Sequence, residues 1–87
     1  MNVSDLKLEI SRIFKLDGTG ATKAFVDLSV ADAFVIKGLR LIEGSQGLFV
    51  TMPQSAGKDS KWYSIVVPIS KEVKDEVDRL VFEAYKT

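Results

Sequence analysis

The sequence predicts an α+β domain, with an antiparallel β-sheet of about five strands arranged in hairpins and one C-terminal amphipathic helix packed on it. Three observations lead there. Apolar residues alternate at period two through most of the first two-thirds of the chain. Glycine-rich turn signals fall between those runs. After Pro68 the period changes to three and four.

The first run spans Val3 to Phe14, where Leu6, Leu8 and Ile10 alternate with polar residues. Ile13 and Phe14 then break the alternation, which places a bulge or twist near Arg12. Leu16-Asp17-Gly18-Thr19-Gly20 is a turn, and Ala24, Val26, Leu28 and Val30 alternate beyond it, so the two runs form a hairpin. Phe34-Val35-Ile36 and Leu39-Arg40-Leu41-Ile42 form a third strand interrupted at Lys37-Gly38. Glu43 to Gly47 is a turn leading to a fourth strand, Leu48 to Met52, ended by Pro53. That strand is apolar on both sides, which calls for cover on both faces. A polar loop from Gln54 to Ser60 precedes a fifth strand, Lys61 to Val67, again apolar on both faces and ended by Pro68.

Ser70 is placed to cap the helix that follows. Its stripe is Val73, Val77, Leu80, Val81 and Ala84, with Tyr85 at the margin. Phe82 falls on the opposite side, where it marks a candidate partner surface together with Tyr63. Lys71–Asp75, Lys74–Asp78 and Asp75–Arg79 have the spacing of helix-surface ion pairs.

Composition narrows the function. The 87 residues make a single domain, residues 1–87, small enough for association to be a remedy for limited burial. Cysteine and histidine are both absent. That removes disulfides, thiolate metal sites, cysteine nucleophiles and the usual general base near neutral pH. Asp27, Asp32 and Asp59 are too scattered to form an acid–base pair or a cation loop, and read as surface charge. Gly18-Thr19-Gly20-Ala21-Thr22-Lys23 lacks the spacing of a phosphate loop and leads into a strand, so it is a hairpin turn. No catalytic residue, metal site or cofactor is expected, and the chain reads as a binding or regulatory module rather than an enzyme. No signal-peptide pattern opens the sequence, and no apolar run approaches the roughly 18–20 residues of a membrane span, so a cytoplasmic location is the expectation.

Formal net charge is zero, so any nucleic-acid site must be a local patch. Lys58 and Lys61 bracket the polar loop beside Trp62 and Tyr63, a combination that can hold a backbone and stack a base. The bland alternative makes the aromatics core or interface residues beside solvated lysines.

Longer stretches then resemble a known family. Gly47-Leu48-Phe49-Val50-Thr51-Met52-Pro53, with Pro68-Ile69 fifteen residues on and a terminal helix ending in a tyrosine, resembles the stage V sporulation protein G (SpoVG, septation regulator) family. Val3 to Leu8 resembles its first strand, and Ala33 to Gly44 its middle hairpin. The resemblance implies a small α+β homodimer that binds DNA and RNA and influences gene expression, septation and, in spore formers, sporulation. On that basis the candidate nucleic-acid-binding residues are Arg40, Lys58, Lys61, Trp62, Lys71 and Lys74. Family members commonly carry arginine at the start of the helix; Lys71 and Lys74 keep the charge without the bidentate fork. The alternative is a protein-interaction module in division control that does not bind nucleic acid appreciably.

Overall fold

The computed structural model describes residues 6–87, so the start of the first run, Val3 to Asp5, lies outside the described residues. Four strands form one antiparallel sheet in sequence order: β1 (Leu8–Lys15), β2 (Thr22–Val30), β3 (Phe34–Gly44) and β4 (Gly47–Thr51). A helix, α1 (Lys71–Lys86), covers one face. The architecture is α+β, as the periodicities require.

Two of the sheet's three register shifts, the third lying between Thr22 and Ala24, place core side chains. The β1–β2 register shifts between Ile10 and Arg12, and the β2–β3 register shifts at Lys37-Gly38, where Leu28 pairs with Ile36 but Val26 pairs with Leu39. Side chains alternate along a strand, so residues three apart face opposite sides unless an extra residue intervenes. Each bulge supplies that residue. Ile10 and Ile13 thereby both reach the core side, as do Ile36 and Leu39. Gly38 holds φ at +94°, a conformation only glycine takes readily. The β2–β3 turn carries Ala31 and Asp32, both at left-handed φ, as in the primed turns that suit hairpin twist.

The core is Ala24, Val26 and Leu28 from β2, Leu39 and Leu41 from β3, and Val50 from β4, closed by Val77 and Val81 of the helix. Full burial of each leucine contributes about 1.5–3 kcal/mol. Ser70 caps α1, its Oγ accepting from the Val73 N–H at 3.3 Å. The helix backbone approaches the two outer strands, β1 and β4, so the sheet curls around it. This corrects the reading of Phe82: it does not stand outward but is half-buried and packs against the core. A flat sheet would touch one stripe of the helix; a curled one covers more of its circumference.

The last third of the β region also departs from expectation. Gln54 to Ser60 is not simply a loop. It contributes β5 (Gln54–Ala56), which pairs with β6 (Trp62–Ser64) in a separate two-stranded sheet. The Ile65 N–H donates to the Pro53 carbonyl at 3.0 Å, and Ile65 to Val67 then leave strand geometry. The double apolar character of this segment finds no cover among the described residues: Trp62 is 67% exposed, Val67 63% and Ile69 97%. In β4, Val50 is buried on the helix side, whereas Phe49 on the other side is partly open.

Candidate nucleic-acid interface

The β5–β6 hairpin gathers three of the candidate residues. Its tip is a turn in which the Ser60 N–H donates to the Gly57 carbonyl at 3.1 Å, and the Gly57 N–H donates to the Lys61 carbonyl at 2.7 Å. Lys58 stands in that turn and Lys61 closes it, directly before Trp62 on β6. All three are exposed. The turn is clasped by Asp59, whose carboxylate accepts from the Tyr63 hydroxyl and, at 3.1 Å, from the Lys61 N–H. The Tyr63 hydroxyl, and next the Lys61 amide, hold the Asp59 carboxyl below its ordinary value. The same hydrogen bond raises the Tyr63 phenol. Tyr63 also lies across Gly57, where a Cβ would come within 2.5 Å of its ring. Tyr63 is therefore fixed to the hairpin, while Trp62 presents an open ring beside two ammonium groups.

The other candidates lie elsewhere. Arg40 is half-buried on β3, paired across the sheet with Phe25 and Thr51. Lys71 and Lys74 open the helix, and both meet carboxylates. Lys71 lies 3.9 Å from Asp75; Lys74 pairs with Asp78 and donates to the Val50 carbonyl at 3.3 Å. Lys74 thus ties the helix to β4. The third expected pair does not form: Arg79 joins Glu76 and Glu83 rather than Asp75. These carboxylates raise the Arg79 guanidinium above its ordinary value, Glu76 first. Among the described residues, Arg12, Lys23, Lys37, Arg40, Lys58 and Lys61 belong to no ion pair within the chain. The candidates therefore fall into a hairpin group, a sheet residue and an ion-paired helix start, not one continuous patch.

Sequence reasoning missed a second exposed group on the sheet face away from the helix. There Phe14 and Phe25 form a cross-strand pair, with Arg12 and Asp27 paired beside them. The available signal was Phe25 at a polar position of an alternating strand. Between the sheet and the start of the helix lies an apolar groove of about 390 Å³, bounded by Leu8, Ile36, Met52, Val67, Ile69 and Val73 among others. It offers no reactive groups. No cluster of acidic side chains able to hold a metal occurs among the described residues, and no described helix is long and apolar enough to cross a membrane.

Comparison with known proteins places the chain. The SpoVG family model matches residues 1–87. Three similar relatives are each named "Putative septation protein SpoVG". That of Archaeoglobus fulgidus is 39% identical over 75 residues, covering 86% of this chain and 88% of the relative. That of Lachnospira eligens is 33% identical over 86 residues, covering 99% and 92%. That of Staphylococcus aureus is 36% identical over 85 residues, covering 98% and 80%. Matched along its whole length by the family model and over most of it by these relatives, the chain belongs to the SpoVG family.

Proposed function

We propose that this protein is a cytoplasmic, non-catalytic regulator that works as a homodimer and binds DNA or RNA through phosphate contacts, influencing gene expression and septation, and sporulation where spores form. The observation that carries the reading is the β5–β6 hairpin, which presents Lys58, Lys61 and the Trp62 ring together, with both lysines outside any ion pair of the described chain. Ammonium groups neutralise phosphates and an exposed indole stacks on a base. The uncovered residues Trp62, Ile65, Val67 and Ile69 support association, because a run of this apolarity left in water is the kind that a second copy buries. A dimer carries two hairpins, and two linked weak sites gain avidity without new contacts.

Salt titration of binding to labelled single-stranded DNA, duplex DNA and RNA tests this. Phosphate contacts make affinity fall steeply with salt, and removing two of them per hairpin in Lys58→Ala/Lys61→Ala flattens the log–log slope by about 1.4–1.8 for each hairpin engaged. Absence of binding at low salt refutes the reading. It would favour the second reading, a protein-interaction module in division control, which is supported by the zero net charge and the carboxylates facing the helix lysines.

A further inference from the structure

The helix covers one face of the four-stranded sheet; the other face is open at β1 and β2 and half-buried at Arg40 and Thr51 of β3 and β4. Register fixes what that outer face displays. Phe14 pairs with Phe25, Phe25 with Arg40, and Arg40 with Thr51, so one row crosses all four strands. Phe49 lies on the same face one pair further along, opposite Ile42, its ring set against Gly44 where a Cβ would fall within 2.8 Å. Arg12 and Asp27 form the neighbouring row. Three of the five phenylalanines therefore lie on this face, with Phe14 62% exposed and Phe25 and Phe49 nearly half exposed.

We propose that this outer face is a stacking platform for the unpaired bases of single-stranded nucleic acid. The proposal rests on the nucleic-acid reading above and gives it a second site, separate from the hairpin. Neighbouring strands lie about 4.8 Å apart, so the row Phe14–Phe25–Arg40 spans about 10 Å and offers three planar groups. Two or three bases laid across a four-stranded sheet meet groups at that spacing. Phenyl rings stack on any base, and a guanidinium stacks as well. In a duplex the base faces are hidden, which selects single strands. The charge is also suited to the ligand. Arg12 and Arg40 are unpaired in the described chain, and Asp27 is the carboxylate beside them; Glu9, further along β1, is held by Lys7 at 3.8 Å. With Arg40 stacking, the Arg12 guanidinium takes a phosphate, while Asp27 can accept from exocyclic amino groups. A second copy fits this face less well. Self-pairing would bring two guanidinium groups per chain against one carboxylate and leave a buried charge without a partner.

The test compares wild type with Phe14→Leu/Phe25→Leu, which keeps the face apolar and removes the planar rings. Each is titrated at low salt with a labelled oligothymidylate, an oligouridylate and a duplex. The expected result is a loss of single-strand affinity of about 5–150-fold per stacked ring, with the salt slope and duplex binding unchanged and Phe25→Trp binding as wild type. A double variant that remains folded by circular dichroism and binds single strands as wild type overturns the proposal. So does a double variant that falls from dimer to monomer in light scattering, since the face is then a self-interface. If the double variant fails to fold, Phe25→Leu alone against Phe25→Trp decides by the same criterion. Wild type that binds duplex but not single strands overturns this proposal and leaves the broader function standing; wild type that binds neither overturns both.

Discussion

The bulge at Gly38 is where the fold depends most directly on one residue, and Gly38→Ala measures that dependence. Its φ of +94° is costly for any residue with a Cβ. Space is not the obstacle, because the added Cβ would meet its nearest neighbour, the Pro53 Cβ, at an ordinary 4.0 Å. The penalty is therefore conformational, about 1–3 kcal/mol. Alanine offsets about 0.4–1 kcal/mol of it by restricting the unfolded chain. A net loss of about 1–2 kcal/mol follows, against a total near 4–13 kcal/mol for a domain of this length. At about 4–8 °C per kcal/mol the melting temperature falls by roughly 4–16 °C. Thermal unfolding followed by far-ultraviolet circular dichroism reads this out, at matched protein concentration because association shifts apparent stability. Gly20→Ala is the control: Gly20 is not at positive φ and a Cβ there meets nothing within 4 Å. If Gly38→Ala melts with Gly20→Ala, the bulge is not held by the glycine and the account of how Ile36 and Leu39 share the core side fails.

Two further outcomes follow from local geometry. Ser70→Ala removes the Oγ that accepts from the Val73 N–H, so α1 loses its cap at a cost of about 0.5–2 kcal/mol, measured by chemical denaturation; an unchanged midpoint would mean that water replaces the cap without penalty. The Asp59–Tyr63 clasp predicts a pH window. Asp59 has a lowered pKa, so its contribution is present above the ordinary value of 3.8 and is lost as pH falls through the lowered one. Tyr63 has a raised pKa, so its contribution is present below 10.0 and is lost as pH rises through the raised one. In alkaline ultraviolet titration, Asp59→Asn should bring the Tyr63 midpoint down toward 10.0, whereas an unmoved midpoint would dissociate the phenol from the carboxylate.

Local pattern was enough to determine much of this protein. Period-two runs placed β1 to β3, an apolar run between a turn and Pro53 placed β4, and the two breaks in alternation, at Arg12 and at Lys37-Gly38, marked two of the three register shifts; the third, between Thr22 and Ala24, left no such mark. The stripe of Val73, Val77, Leu80, Val81 and Ala84 placed the helix, and Ser70 its start. Alternation and capping are properties of neighbours in the chain, so neighbours suffice to read them. Pairing and curvature are not. Gln54 to Ala56 is polar and reads as loop; it is a strand because Trp62 to Ser64 folds back on it around the Asp59 clasp. Phe82 lies opposite the helix stripe; it is half-buried because the sheet curls around the helix. The candidate site divides the same way. Lys58, Lys61 and Trp62 are close in sequence and stay together in space, whereas Arg40 joins Phe14 and Phe25 only through cross-strand register. A cross-strand row is built from residues 11 to 15 positions apart, which no local pattern links until hydrogen bonding between strands sets them side by side.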